Sequence, residues 1–210
     1  PRAINTKLAH IVSMLKYFRE MGQDLAAKTP LICKLKTGPI DRVWYTAEEV
    51  ATVLGYTETL LDWLLIRITF DTGFRIGELA NLRLCQLNGN NVHYVGKGNK
   101  SRDGYISEEA YEKLQIWIER EDVTDWIWVN EFRNGHYSVA QIRIRMDRVF
   151  ERAGFDGFHP HALRHSFCTD ILEKGATESE AQQLLGHSNL QTTQIYCHHF
   201  DGKIQQLHAK

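Results

Sequence analysis

Apolar residues recur every three or four positions from the start of the chain. Ile4, Leu8, Ile11, Val12, Leu15, Phe18 and Leu25 follow this spacing over 4–29, with Lys and Arg between them. The spacing predicts one or two helices. Pro30, Gly38 and Pro39 then stand among basic residues and predict a linker. Thr46-Ala47-Glu48-Glu49 has the form of a capping box, in which side chains satisfy the free backbone donors of a helix start. Helices are expected over about 46–54 and 58–72. The period changes to two at Asn91-Val92-His93-Tyr94-Val95, followed by the Gly-rich basic run Gly96 to Arg102 and a short strand over Asp103 to Ile106. This predicts a hairpin or a three-stranded sheet. Helical spacing returns at about 108–120, 138–153, 161–174, 177–185 and 189–196. The fold class that emerges is mainly α with a small antiparallel β-sheet, an α+β arrangement.

Composition narrows the function classes. Of 210 residues, 43% are apolar and 24% charged, which is ordinary for a globular chain. No apolar run approaches the ~20 residues that cross a bilayer. Cys33, Cys85, Cys168 and Cys197 are scattered, with no CxxC pair, against both a disulfide framework and a zinc knuckle. A reducing cytoplasm, close to the nucleoid, is the expected location. The chain opens on Pro1-Arg2-Ala3-Ile4, without an initiator Met or an apolar leader, and reads as part of a longer protein. Net charge is −1. Nucleic-acid binders are usually basic, so any phosphate binding must come from a local positive face.

Four stretches hold residues suited to chemistry. Arg75 lies between Gly73 and Gly77 with Glu78 three residues on, which is either a surface pair or an outward guanidinium aimed by a carboxylate. Lys97 sits between glycines in a turn shared with Lys100 and Arg102, which is either a solvated tip or a mobile cation. His161 and Arg164 share a helical face, with His165 beside them. The HExxH zinc pattern is absent there, and His with Arg suits an anion better than a cation. Last, Leu184 to Tyr196 combines a helix stop, His187 and a terminal tyrosine.

Taken together these pieces occur in one order: Thr72-Gly73-Phe74-Arg75-Ile76-Gly77-Glu78-Leu79, Gly96-Lys97-Gly98, His161-x-x-Arg164, His187 and Tyr196. The chain thereby resembles the phage-integrase and Xer branch of the tyrosine recombinases over about Trp44 to Phe200. The segments Leu163 to Phe167 and Leu184 to Tyr196 match most closely. Phe74, Cys168 and Cys197 depart from the common residues, away from the chemistry. The resemblance implies a tyrosine recombinase catalytic domain over 44–210, a linker at 31–43, and over 1–30 the end of a helical core-binding domain.

It also implies a mechanism. Tyr196 attacks a DNA phosphate, leaving a 3′-phosphotyrosine and a free 5′-hydroxyl. Arg75 and Arg164 hold the non-bridging oxygens, and His187 donates to the same phosphate. Lys97 protonates the leaving 5′-oxygen, and His161 accepts the tyrosine proton. Glu78 orients Arg75 or the histidine, and His165 packs beneath the site. Lys100, Arg102, Arg145 and Arg148 are expected to contact DNA. No cofactor and no metal are implied. The expected partners are a double-stranded recombination site and a homotetramer bridging two such sites, with the tail from Phe200 docking in trans.

Other readings remain open. A type IB topoisomerase shares the catalytic set, and an inactive DNA-binding module shares the fold. A metal enzyme would draw on His161, His165, His187, His198 and His199.

Overall fold

The computed structural model describes residues 2–22, 44–95, 101–130 and 135–185. The chain divides into two compact units, Pro1–Arg42 and Val43–Lys210. In the first, α1 runs Arg2–Glu20 and the chain leaves it through Gly22 at φ 78°. A positive φ costs glycine little; the rest of the stretch expected to be helical, up to 29, lies outside the described residues.

In the second unit the elements follow in order: α2 (Ala47–Gly55), α3 (Leu60–Thr72), α4 (Ile76–Ala80), a single 3-10 turn (Leu84–Gln86), β1 (Leu87–Asn88), β2 (Asn91–Val95), β3 (Ser101–Tyr105), α5 (Glu108–Arg120), α6 (Val139–Arg152), α7 (Pro160–Glu173) and α8 (Glu178–Leu185). The fold is mainly helical with one three-stranded antiparallel sheet, as the hydrophobic pattern predicts. Local chemistry explains where the helices start. Thr46 and Glu49 form a complete capping box ahead of α2, and Ser138 with Gln141 forms another ahead of α6. Thr59 accepts the Asp62 N–H at the start of α3, and Pro160 opens α7, where its missing N–H costs nothing.

Helix α3 is apolar on almost every side and burial follows: Leu61, Leu64, Leu65, Ile66, Ile68 and Phe70 are all enclosed. It packs against α2, α5, α6, α7 and β3, so it is the axis of the core. The sheet has the order β1-β2-β3, with Val92 paired to Gly104 and Tyr94 to Arg102. It docks on α3 closely, because a Cβ on Gly104 would lie 3.0 Å from both Phe74 and Thr72. Strand β3 begins at Ser101, two residues earlier than the alternation over Asp103 to Ile106 suggests. Helix α4 has no counterpart among the expected elements. Five residues with Gly77 among them hold too little periodicity to register, and tertiary contacts create it. Among the described residues, no helix is long and apolar enough to cross a membrane.

Candidate active site

The site begins at the end of α3. Gly73 caps that helix in the left-handed conformation, φ 59°, where a side chain is strained. A Cβ there would also run into the ring of Phe167 and press on Leu185. The sharp exit places Arg75 at the N-cap of α4, where Glu78 grips it twice. The Arg75 N–H donates to Glu78 Oε2 and its Nη1 donates to Oε1, each at 2.8 Å. Glu78 is buried, while the Arg75 side chain keeps 47% of its surface. One edge of the guanidinium is anchored and the remainder faces outward. Trp128 supports α4 from behind, donating its indole N–H to the Leu79 carbonyl at 2.7 Å.

Glu78 has a second cation. Arg102 on β3 donates through Nη2 to Glu78 Oε2, and through Nη1 to the carbonyls of Leu184 and Leu185 at 3.3 and 3.1 Å. Its guanidinium carbon stands 4.7 Å over the Phe74 ring. Burial pulls this guanidinium below the usual arginine range, and Glu78 opposes that pull. Tyr94, opposite Arg102 in the sheet, has its phenol pushed up by burial and then by Glu78.

Helix α7 brings the third component. Arg164 is only 5% exposed and donates to the Gly73 carbonyl and the Leu185 carbonyl, each at 2.5 Å. One turn earlier His161 stays exposed. Partial desolvation and the fields of His159, Arg164 and Arg75 hold its imidazole below the usual histidine range. His161 is therefore neutral near pH 7 and able to take up a proton. His165 is half-buried on the same helix. Ser166 accepts the Tyr45 N–H at 2.7 Å and so ties α7 to the chain just before α2. Cys168 is buried, its thiol pushed up to about 12 by burial.

Arg75, Glu78, His161 and Arg164 thus come from two segments more than 80 residues apart and meet around the exit of α3. The exposed edge of Arg75 is the kind of group that binds an anion, with the buried charge of Arg164 nearby. Lys97, Lys100, His187 and Tyr196 lie outside the described residues, as do the linker, the expected helix at 189–196 and the tail. Among the described residues no three His, Cys, Asp or Glu side chains come together as metal ligands.

Two of the expected DNA contacts are held by groups of the chain itself. Arg102 is 8% exposed, because the two-residue period of β3 points it, like Gly104, at the core. Arg145 ties α6 to the start of α3, donating to Asp62 at 2.7 Å and to Thr59 at 3.2 Å. Arg148, three residues on, is exposed. The pattern gives no separate role to Tyr94 or Phe74. The signal available for both was the alternation of β2 and the position of Phe74 beside Arg75.

Comparison with known proteins gives the family and the fold. The sequence profile of the phage integrase family matches residues 44–203. The chain belongs to the phage integrase family. It is 38% identical over 143 residues to the tyrosine recombinase XerC of Corynebacterium efficiens, an alignment covering 65% of this chain and 46% of that protein. The chain spans about half the length of curated relatives of this kind. Among solved structures, a XerA recombinase superposes with a TM-score of 0.71 at 26% identity, over 82% of this chain and 66% of that one. A XerH site-specific recombinase bound to its difH substrate in a pre-cleavage complex gives 0.70 at 25% identity, over 89% and 59%.

Proposed function

We propose that this member of the phage integrase family is the catalytic part of a site-specific recombinase that cuts and rejoins DNA through Tyr196. The observation that carries the reading is the meeting of Arg75, held by Glu78, with His161 and Arg164 at the exit of α3. The likeness to XerC and to a DNA-bound XerH supports DNA as the substrate.

Breaking a phosphodiester by a tyrosine needs charge neutralisation, a proton acceptor and a leaving-group acid. Arg75 offers the outward edge of its guanidinium to a non-bridging oxygen, and Arg164 supplies positive charge from beneath. The Tyr196 oxygen bonds to phosphorus and its proton passes to His161, which is neutral near pH 7. The bond to the 5′-oxygen breaks as Lys97 delivers a proton there, leaving a 3′-phosphotyrosine. His187 donates to the same phosphate. Attack by the 5′-hydroxyl of a second duplex reverses the step and yields a Holliday junction. One bond replaces another of similar energy, so the exchange consumes no nucleotide. Lys100 and Arg148 contact backbone phosphates away from the reacting centre. Four copies assemble on two DNA sites, with the tail from Phe200 reaching a neighbouring copy. Residues 1–30 are the end of a core-binding domain.

The test is incubation with a nicked suicide duplex carrying the recombination site, followed by denaturing electrophoresis. A protein–DNA adduct mapped to Tyr196 and lost in Tyr196→Phe is the expected result. DNA that binds without forming an adduct would reduce this chain to a binding module, and supercoil relaxation without junctions would make it a topoisomerase.

A further inference from the structure

The buried Arg102 is not spent on solvent or on DNA. Its two terminal nitrogens tie β3 to two segments that the sequence keeps apart: α4 at Glu78, and α8 at the Leu184 and Leu185 carbonyls. Each partner is itself part of the site. The other oxygen of Glu78 holds Arg75, and the Leu185 carbonyl also accepts from Arg164. Leu185 stands two residues before His187 and eleven before Tyr196 in the sequence. Arg102 also sits across the sheet from Tyr94 and lies five residues beyond Lys97 in sequence.

We propose that Arg102 is a positioning residue that sets Arg75, through Glu78, relative to the end of α8, the helix that precedes Tyr196 in sequence. This rests on the recombinase reading above. Three physical points carry it. A guanidinium is a planar fork and can serve a carboxylate and a carbonyl pair at once, which an ammonium cannot match in the same geometry. The Leu184 and Leu185 carbonyls lie toward the negative end of the α8 dipole, which favours the two cations that bond them, Arg102 and Arg164. Phe74 lies over one face of the guanidinium and Arg102 is 8% exposed, so its charge is directed at the chain rather than outward.

The experiment compares Arg102→Lys and Arg102→Met in the full-length protein on the suicide duplex. It measures DNA affinity, its salt dependence, and the rate of adduct formation at saturating DNA. The positioning role predicts a rate loss of about 10-fold for Arg102→Lys and ~100-fold for Arg102→Met, the scale of a misplaced reacting group. DNA affinity stays within about threefold and its salt slope does not change, whereas losing a phosphate contact lowers that slope by about one. Either variant reacting at the wild-type rate overturns the proposal, as does a loss of affinity with the saturated rate intact. Amide hydrogen exchange provides a readout that does not depend on activity. Arg102→Lys is expected to exchange faster at Arg75–Ala80 and Glu178–Leu185 while α5 and α6 keep their protection. Unchanged exchange at both segments also overturns it, even where Arg102→Met fails to fold. Absence of an adduct from the wild-type protein would sink the recombinase reading, and the exchange result would then decide the Arg102 tie by itself.

Discussion

Arg164 donates a hydrogen bond at 2.5 Å to the carbonyl oxygen of Gly73, a residue 91 positions earlier in the chain. That carbonyl closes α3, where the last carbonyls of a helix have no partner within it. Arg75 is two residues further on. One arginine of the candidate site therefore holds the turn from which the other emerges. Neither can shift without the other.

Arg164→Lys tests how much of that geometry is the fork. A lysine keeps the charge, but a single ammonium has to choose between the Gly73 and Leu185 carbonyls. Adduct formation is expected to fall ~100-fold or more. The free energy of unfolding should drop by about 1–3 kcal/mol, the cost of leaving a buried acceptor unpaired. Single-turnover cleavage and urea unfolding measure the two. A variant that cleaves as fast as the wild type would remove Arg164 from the site.

Gly73→Ala probes the same turn from the backbone side. The left-handed φ alone costs a side chain about 1–2 kcal/mol, and overlap with Phe167 adds to it. Cleavage should fall along with stability, because the displaced carbonyl belongs to the Arg164 anchor. Gly55→Ala is the control, since nothing lies within 4 Å of its Cβ position. It is expected to change unfolding by no more than ~0.5 kcal/mol. Equal effects at the two positions would contradict the account.

The His161 imidazole is held below the usual histidine range, first by desolvation and then by His159, Arg164 and Arg75. A histidine whose folded pKa lies below its unfolded value binds fewer protons folded than unfolded. Stability from this group is therefore complete above about pH 6.5 and is lost as pH falls through the folded pKa. His161→Gln should flatten the stability profile below pH 6.5. In an NMR titration the His161 resonance should move at a pH below the ordinary value, and Arg75→Gln should move it upward. A midpoint at or above about 6.5 in the wild type would refute the assignment.

Arg145 and Arg148 lie three residues apart on α6 and are expected to behave differently. Arg145→Ala removes the tie to Asp62, itself buried, and leaves that carboxylate with the Thr59 hydroxyl but without its cation. About 1–3 kcal/mol of unfolding free energy should go with it, while the salt slope of DNA binding holds. Arg148→Ala is expected to leave stability within ~0.5 kcal/mol and to lower the salt slope by about one. Titrations at several salt concentrations, with urea unfolding of both variants, would reveal the reverse pattern if the roles are exchanged.

How much could be read in advance varied with how local the cause is. Thr46 and Glu49 announce a helix start through bonds that span three residues, and the structure starts α2 there. The all-round apolar run from Leu60 to Phe70 likewise becomes the buried axis. Arg102 is the contrary case. In sequence it belongs to a basic turn with Lys97 and Lys100. Its direction depends on β3 starting at Ser101, and that start is set by pairing with β2. A one-residue change of register would send it to the other face.

The sequence by itself determined the identity and order of the groups suited to the chemistry, the helical and strand periods, and the main helix starts. All of these rest on residue type and on spacing within a few positions. Only the tertiary structure decided what each charge is for. It turned Arg102 and Arg145 into internal ties, left Arg75 partly open, and set Arg164 beneath the Gly73 turn. The physical reason is that an arginine binds whichever oxygens surround it. For these side chains the surroundings are carbonyls and carboxylates supplied by segments up to 91 residues away, brought near by packing on α3.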